Sequence, residues 1–116
     1  MNCTRCMSTT CMTQDCIIFL RDVNKIITLL EELKSKLQSK ITNSRMNREH
    51  IAIKYAKGVI SSHLRSTSEI RDQLIILQGF FKEKSSSRRW FILRSFYKTH
   101  IKEFKTIYKI YRSMLI

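Results

Sequence analysis

The absence of proline, together with the presence of only two glycines, Gly58 and Gly79, constrains this chain more than any other feature. Tight hairpins, barrels and phosphate-cradling loops draw on those residues for positive φ and for fixed turns. Long helices remain. Of the 116 residues, 43% are apolar and 27% charged, so there is material for one packed core and too little chain for two.

Beyond residue 15 the apolar positions alternate at spacings of three and four, the signature of a helix with one buried face. Phe19, Val23, Ile26, Leu30, Leu33 and Leu37 form the first stripe, with Asp15 as a suitable N-cap. The second is Ile53, Ala56, Ile60, His63, Thr67, Ile70, Leu74, Leu77 and Phe81, and the third Trp90, Leu93, Tyr97, His100, Phe104, Ile107, Tyr111 and Met114. Thr42, Asn43, Ser44 and Asn47 supply turn and capping chemistry at the first interruption, and Ser85–Ser87 at the second. The pattern predicts helices over residues 16–41, 47–83 and 88–115. Short connections force neighbours to run antiparallel, so the expected fold class is all-α, an up-down-up antiparallel three-helix bundle with short loops. Residues 1–15 carry no apolar stripe and read as a flexible, cysteine-rich N-terminus ahead of a bundle spanning 16–116.

All four cysteines, Cys3, Cys6, Cys11 and Cys16, fall at the start of the chain, which argues against a secreted, disulfide-stapled fold. Their C-x2-C-x4-C-x4-C spacing is that of a zinc knuckle with cysteine in the histidine position, and four thiolates can close a tetrahedral site. The intervening residues lack the glycine and aromatic that knuckles use. The expectation is therefore no cofactor, with zinc on these cysteines as the alternative, beside fatty acylation or a chemically idle segment.

Nothing in the sequence carries a catalytic pattern. Glycine is too scarce for a P-loop or dinucleotide fingerprint, and no zinc-protease or nucleophile-elbow motif occurs. Glu31 and Glu32 sit among Lys25, Lys34 and Lys36 as an ordinary solvated face. The chain is expected not to be an enzyme and to take no small-molecule substrate. His63 and His100 interrupt apolar stripes, but with the hairpin centred on Ser86 they fall 9 residues out of register. That places them roughly 13 Å apart along the bundle, each with its own water or backbone partner.

Lysine and arginine outnumber acids 22 to 9, a formal charge of +13, and residues 82–112 hold ten of those basic residues against Glu83 and Glu103. Lys98, Lys102, Lys105, Lys109 and Arg112 recur beside the third seam, and Arg88 and Arg89 precede Trp90. These seven are the candidate contacts for a protein partner or for an anionic surface, whether lipid headgroup or phosphodiester. The aromatics lie on the core stripe and are expected to be buried rather than stacked on bases. No apolar run approaches the ~20 residues that cross a bilayer, and the first residues lack a leader's apolar core. A cytoplasmic setting is expected.

Three details together resemble the N-terminal three-helix (Habc) domain of syntaxins. His100, Phe104, Ile107, Tyr108 and Tyr111 look like the family's last helix. Ile53, Lys54, Ala56, Val59 and Ile60 followed by Leu64 and Arg65 are similar to its middle helix, and Phe19, Val23 and Ile26 to its first. The resemblance implies a regulatory module in vesicle trafficking at the cytosolic face of endomembranes. A SNARE helix or its regulator would be held in a groove between the second and third helices. With no central-layer glutamine after the bundle, fusion activity is not implied. The expected function is thus a non-enzymatic protein-interaction module. A basic nucleic-acid-binding protein with a zinc-knuckle-like cluster is the runner-up, and a helical subunit of a larger assembly the third reading.

Overall fold

The computed structural model describes residues 9–43, 47–79 and 86–115. Three helices account for nearly all of them: α1 (Thr9–Asn43), α2 (Asn47–Gln78) and α3 (Ser86–Arg112), the last tightening into a 3₁₀ turn over Ser113–Leu115. The fold is an all-α three-helix bundle. Cross-helix contacts fix its direction. Cys16 meets Leu74 while Lys40 pairs with Glu49, so α1 and α2 are antiparallel. His63 stacks on His100, and Phe19 meets Trp90 while Lys40 meets the Met114 carbonyl, which sets α3 antiparallel to α2 and parallel to α1. A 35-residue helix rises about 52 Å at 1.5 Å per residue, close to the 57 Å long axis of the molecule.

Each apolar stripe becomes a seam. Val23, Leu30, Leu37, Ile53, Ile60 and Leu74 are fully buried, each such side chain contributing about 1.5–3 kcal/mol by leaving water. Toward one end, Met12, Cys16, Val23, Leu74, Leu77, Trp90 and Tyr97 form one cluster. Toward the other, Ile26, Leu30, Leu33, Leu37, Ile53, Ala56 and Ile60 form a second, covered by the half-buried Phe104, Ile107 and Tyr111. Trp90 and Tyr97 are seven residues apart, roughly 10 Å along one helix face, and Phe19 fills that gap. Its ring centroid lies 5.4 Å from Trp90 and 4.0 Å from Tyr97. The Tyr97 hydroxyl donates to Asp22 Oδ2 at 3.0 Å. Burial, then that hydrogen bond and the carboxylate charge, hold the phenol protonated far above its usual range.

One boundary differs from the sequence expectation. α1 begins at Thr9 rather than residue 16, and Met12 is buried at 2% exposure, so residues 9–15 belong to the bundle. Residues 1–8 lie outside the described part of the chain. α2 runs to Gln78, where Gly79, a poor helix former, turns its N–H onto the Ile76 carbonyl at 3.2 Å and closes the last turn, and the expected continuation over residues 80–83 lies outside the described residues. Among the described residues no helix is long and apolar enough to cross a membrane.

Gly58 sits exposed in the interior of α2, and a Cβ built there meets nothing within 4 Å. Gly58→Ala should therefore stabilise the fold by about 0.5–1 kcal/mol through helix propensity alone. The check is a higher denaturant midpoint at unchanged m-value.

Candidate functional site

Between the two apolar clusters lies a polar layer built from α2 and α3. His63, Thr67 and His100 are all buried there, at 6%, 0% and 7% exposure. The two imidazoles stack with centroids 3.8 Å apart and planes 3° from parallel. This overturns the expected separation along the bundle. The error lay in the loop centre: with α2 ending at Gln78 and α3 starting at Ser86, the connection centres near residue 82. His63 then lies 19 residues before that centre and His100 18 after it, so they share a level.

The hydrogen bonds of the layer fix a tautomer. Thr67 Oγ1 lies 2.6 Å from the His63 carbonyl and 2.6 Å from His100 Nε2. A hydroxyl has one proton, and a carbonyl only accepts, so that proton goes to the His63 carbonyl. His100 Nε2–H must then donate to Thr67 Oγ1, leaving His100 Nδ1 with the lone pair. His63 Nε2 is buried with no hydrogen-bond partner. Burial, then the neighbouring His100, lowers the His63 pKa to about 4. Burial also lowers that of His100, against the opposing pull of Glu103. Both rings are neutral at pH 7. One nitrogen of each and a carboxylate oxygen of the exposed Glu103 lie within 4.8 Å of one another.

A second feature lies toward the α2–α3 connection. Gln73, Ile76 and Leu77 on α2 face Arg89, Ile92, Leu93 and Phe96 on α3 across an apolar groove. Ile76 is 51% exposed, Ile92 53% and Phe96 64%. None of the three lies on a seam, and sequence reasoning left them unassigned. The groove continues past Leu93 and Phe96 to a depression lined by His100 and Glu103.

The seven basic residues singled out from sequence, Arg88, Arg89, Lys98, Lys102, Lys105, Lys109 and Arg112, are all exposed. Arg89 belongs to the groove, while Lys105, Lys109 and Arg112 edge a separate depression with Phe104 and Tyr108 near the far end of α3. They do not converge on one point. Trp90 and Tyr97 are buried as expected, but Phe91 and Phe96 stand exposed.

The cysteine cluster changes character. Cys16 is fully buried in the first apolar cluster, and its thiol donates to the Leu74 carbonyl at 3.4 Å. Desolvation pushes that thiol up to about 11, away from the thiolate a metal needs. Cys16 packs as a core residue of the bundle. The expectations for Cys3, Cys6 and the Cys11 side chain fall outside the described residues.

Compared with protein-family models, curated proteins and solved structures, the chain finds no match.

Proposed function

We propose that this chain is a non-enzymatic helical interaction module whose α2–α3 groove receives one amphipathic helix of an acidic partner. The observation that carries this is the groove itself. Ile76, Ile92 and Phe96 are left in water above a floor of Leu77 and Leu93, although the same helices bury their seams thoroughly. Two antiparallel helices present side chains at i, i+3 and i+4 as parallel ridges, and the furrow between such ridges accepts a third helix. Arg89 in the groove and Arg88 beside it, on a chain of formal charge +13, favour an occupant with acidic flanks. The same charge disfavours a second copy of this chain. Resemblance to the syntaxin N-terminal domain supports a SNARE helix or its regulator as the occupant, in vesicle trafficking on the cytosolic side of a membrane.

The test is fluorescence anisotropy with synthetic SNARE-helix peptides carrying acidic flanks, in parallel with acidic vesicles and single-stranded RNA. Saturable peptide binding is expected. Phe96→Asp, at an exposed position, should weaken it by about tenfold or more and leave the melting midpoint unmoved. RNA binding without peptide binding, abolished by glutamine at Lys98, Lys102, Lys105 and Lys109, would overturn this reading in favour of a nucleic-acid-binding protein. Vesicle binding alone would make the basic residues a lipid contact and leave the groove without its proposed role.

A further inference from the structure

We propose that His63, His100 and Glu103 bind one divalent transition-metal ion, with zinc as the best chemical match. His63 comes from α2, while His100 and Glu103 lie three residues apart on one face of α3. An ion held by all three would pin α2 to α3 at the polar layer.

Four observations converge on this site. The three donor groups already lie within 4.8 Å of one another. A tetrahedral zinc with bonds of ~2.1 Å wants its donors roughly 3.4 Å apart. Imidazole lone pairs lie in the ring plane and the two rings are stacked in parallel, so binding one ion requires the His63 ring, whose Nε2 has no hydrogen bond, to turn out of the stack while the exposed Glu103 side chain rotates to meet it. Second, His63 Nε2 is a buried polar atom with no partner, and a buried acceptor left unsatisfied costs free energy that a metal bond would return. Third, His100 has the outer support that metal-bound histidines use. Its Nε2–H donates to Thr67 Oγ1, which relays to the His63 carbonyl, so the ring is oriented with its other nitrogen free. Fourth, the ion has a way in. Glu103 and Ser66 line both surface depressions at this level, one holding His100 and the other His63.

The donor set selects the metal class. Two imidazoles and one carboxylate suit zinc and its first-row neighbours, whereas calcium and magnesium require a shell of oxygens that this layer lacks. Three protein ligands leave a fourth position, toward the solvent-facing depressions, for water.

The full-length chain, stripped with a chelator, is titrated with Co²⁺ and followed by visible absorption, with Zn²⁺ then added as competitor. One equivalent should bind, with ligand-field bands of a low-coordinate nitrogen and oxygen site, no thiolate-to-cobalt charge-transfer band, and full displacement by zinc. Glu103→Gln should weaken binding by at least about tenfold, and zinc should raise the melting midpoint of the wild type but not of this variant. Because Glu103 is exposed, that variant retains the bundle. A triple Cys3→Ser, Cys6→Ser, Cys11→Ser variant should bind as the wild type does. Absence of ligand-field absorption at saturating Co²⁺ would overturn the proposal. So would a charge-transfer band that vanishes in the triple variant while Glu103→Gln binds normally, since the metal would then sit on the N-terminal cysteines.

Discussion

Chelator-treated protein is expected to lose roughly 3 kcal/mol of folding stability between pH 6.5 and pH 4 from His63 alone. The native His63 titrates at about 4, whereas in the unfolded chain it titrates near 6.5. Between those values the unfolded state binds a proton that the native state refuses, so stability is complete above pH 6.5 and declines as pH falls through the folded value. His100 adds in the same direction, because burial lowers its pKa as well, with Glu103 opposing. Each proton that does enter the layer adds positive charge to a molecule already at +13. Denaturant midpoints across this range should show the fall, and His63→Gln should flatten it by half or more. Should that variant lose its fold, NMR of the His63 ring in the wild type gives the titration directly. A His63 resonance titrating near 6.5 would show the ring to be solvated and would remove the basis for the loss.

The stripes that built the bundle were legible because each is a helix period read straight from residue type. Val23, Leu30, Ile53, Ile60 and Leu74 lie where the three-and-four spacing puts them, fully buried. The start of α1 was equally available. Met12 and Cys16 extend the first stripe backward at spacings of four and three into Phe19, but a cysteine cluster invites a chemical reading and conceals a packing one. The histidine layer was lost by a different route. Pairing across a hairpin depends on where the connection is centred, and taking Ser86 as its middle, rather than a residue near 82, moved every α2–α3 partnership by about two helical turns. Periodicity fixes which face of a helix is buried and says little about axial register. Glu103 carried a signal, standing three residues after His100 on the same face, yet its meaning depends on that register. The groove residues Ile76, Ile92 and Phe96 showed themselves as apolar positions off the seams, and only the placement of α2 against α3 brings them together.

Removing residues 1–14 should cost about 3 kcal/mol, with Met12→Ala alone accounting for most of that loss. The sequence suggested that this segment is dispensable, but Met12 is 2% exposed and packs in the cluster that includes Cys16, Leu77 and Trp90. Truncation there strips the cover from one end of the core. For a domain of this size each kcal/mol shifts the melting midpoint by roughly 4–8 °C, so the change should exceed 10 °C. Gln14→Ala, at an exposed position on the same helix, should stay within about 0.5 kcal/mol of the wild type. The decisive comparison repeats Met12→Ala with and without chelator. Loss of packing predicts the same deficit in both, because the methionine acts through the apolar surface it covers. A deficit present only in metal-loaded protein would instead mean that the N-terminal thiols hold a structural ion and that Met12 matters by positioning them. An unchanged midpoint for the 1–14 truncation would show that the first turns of α1 do not dock on α2 and α3 at all.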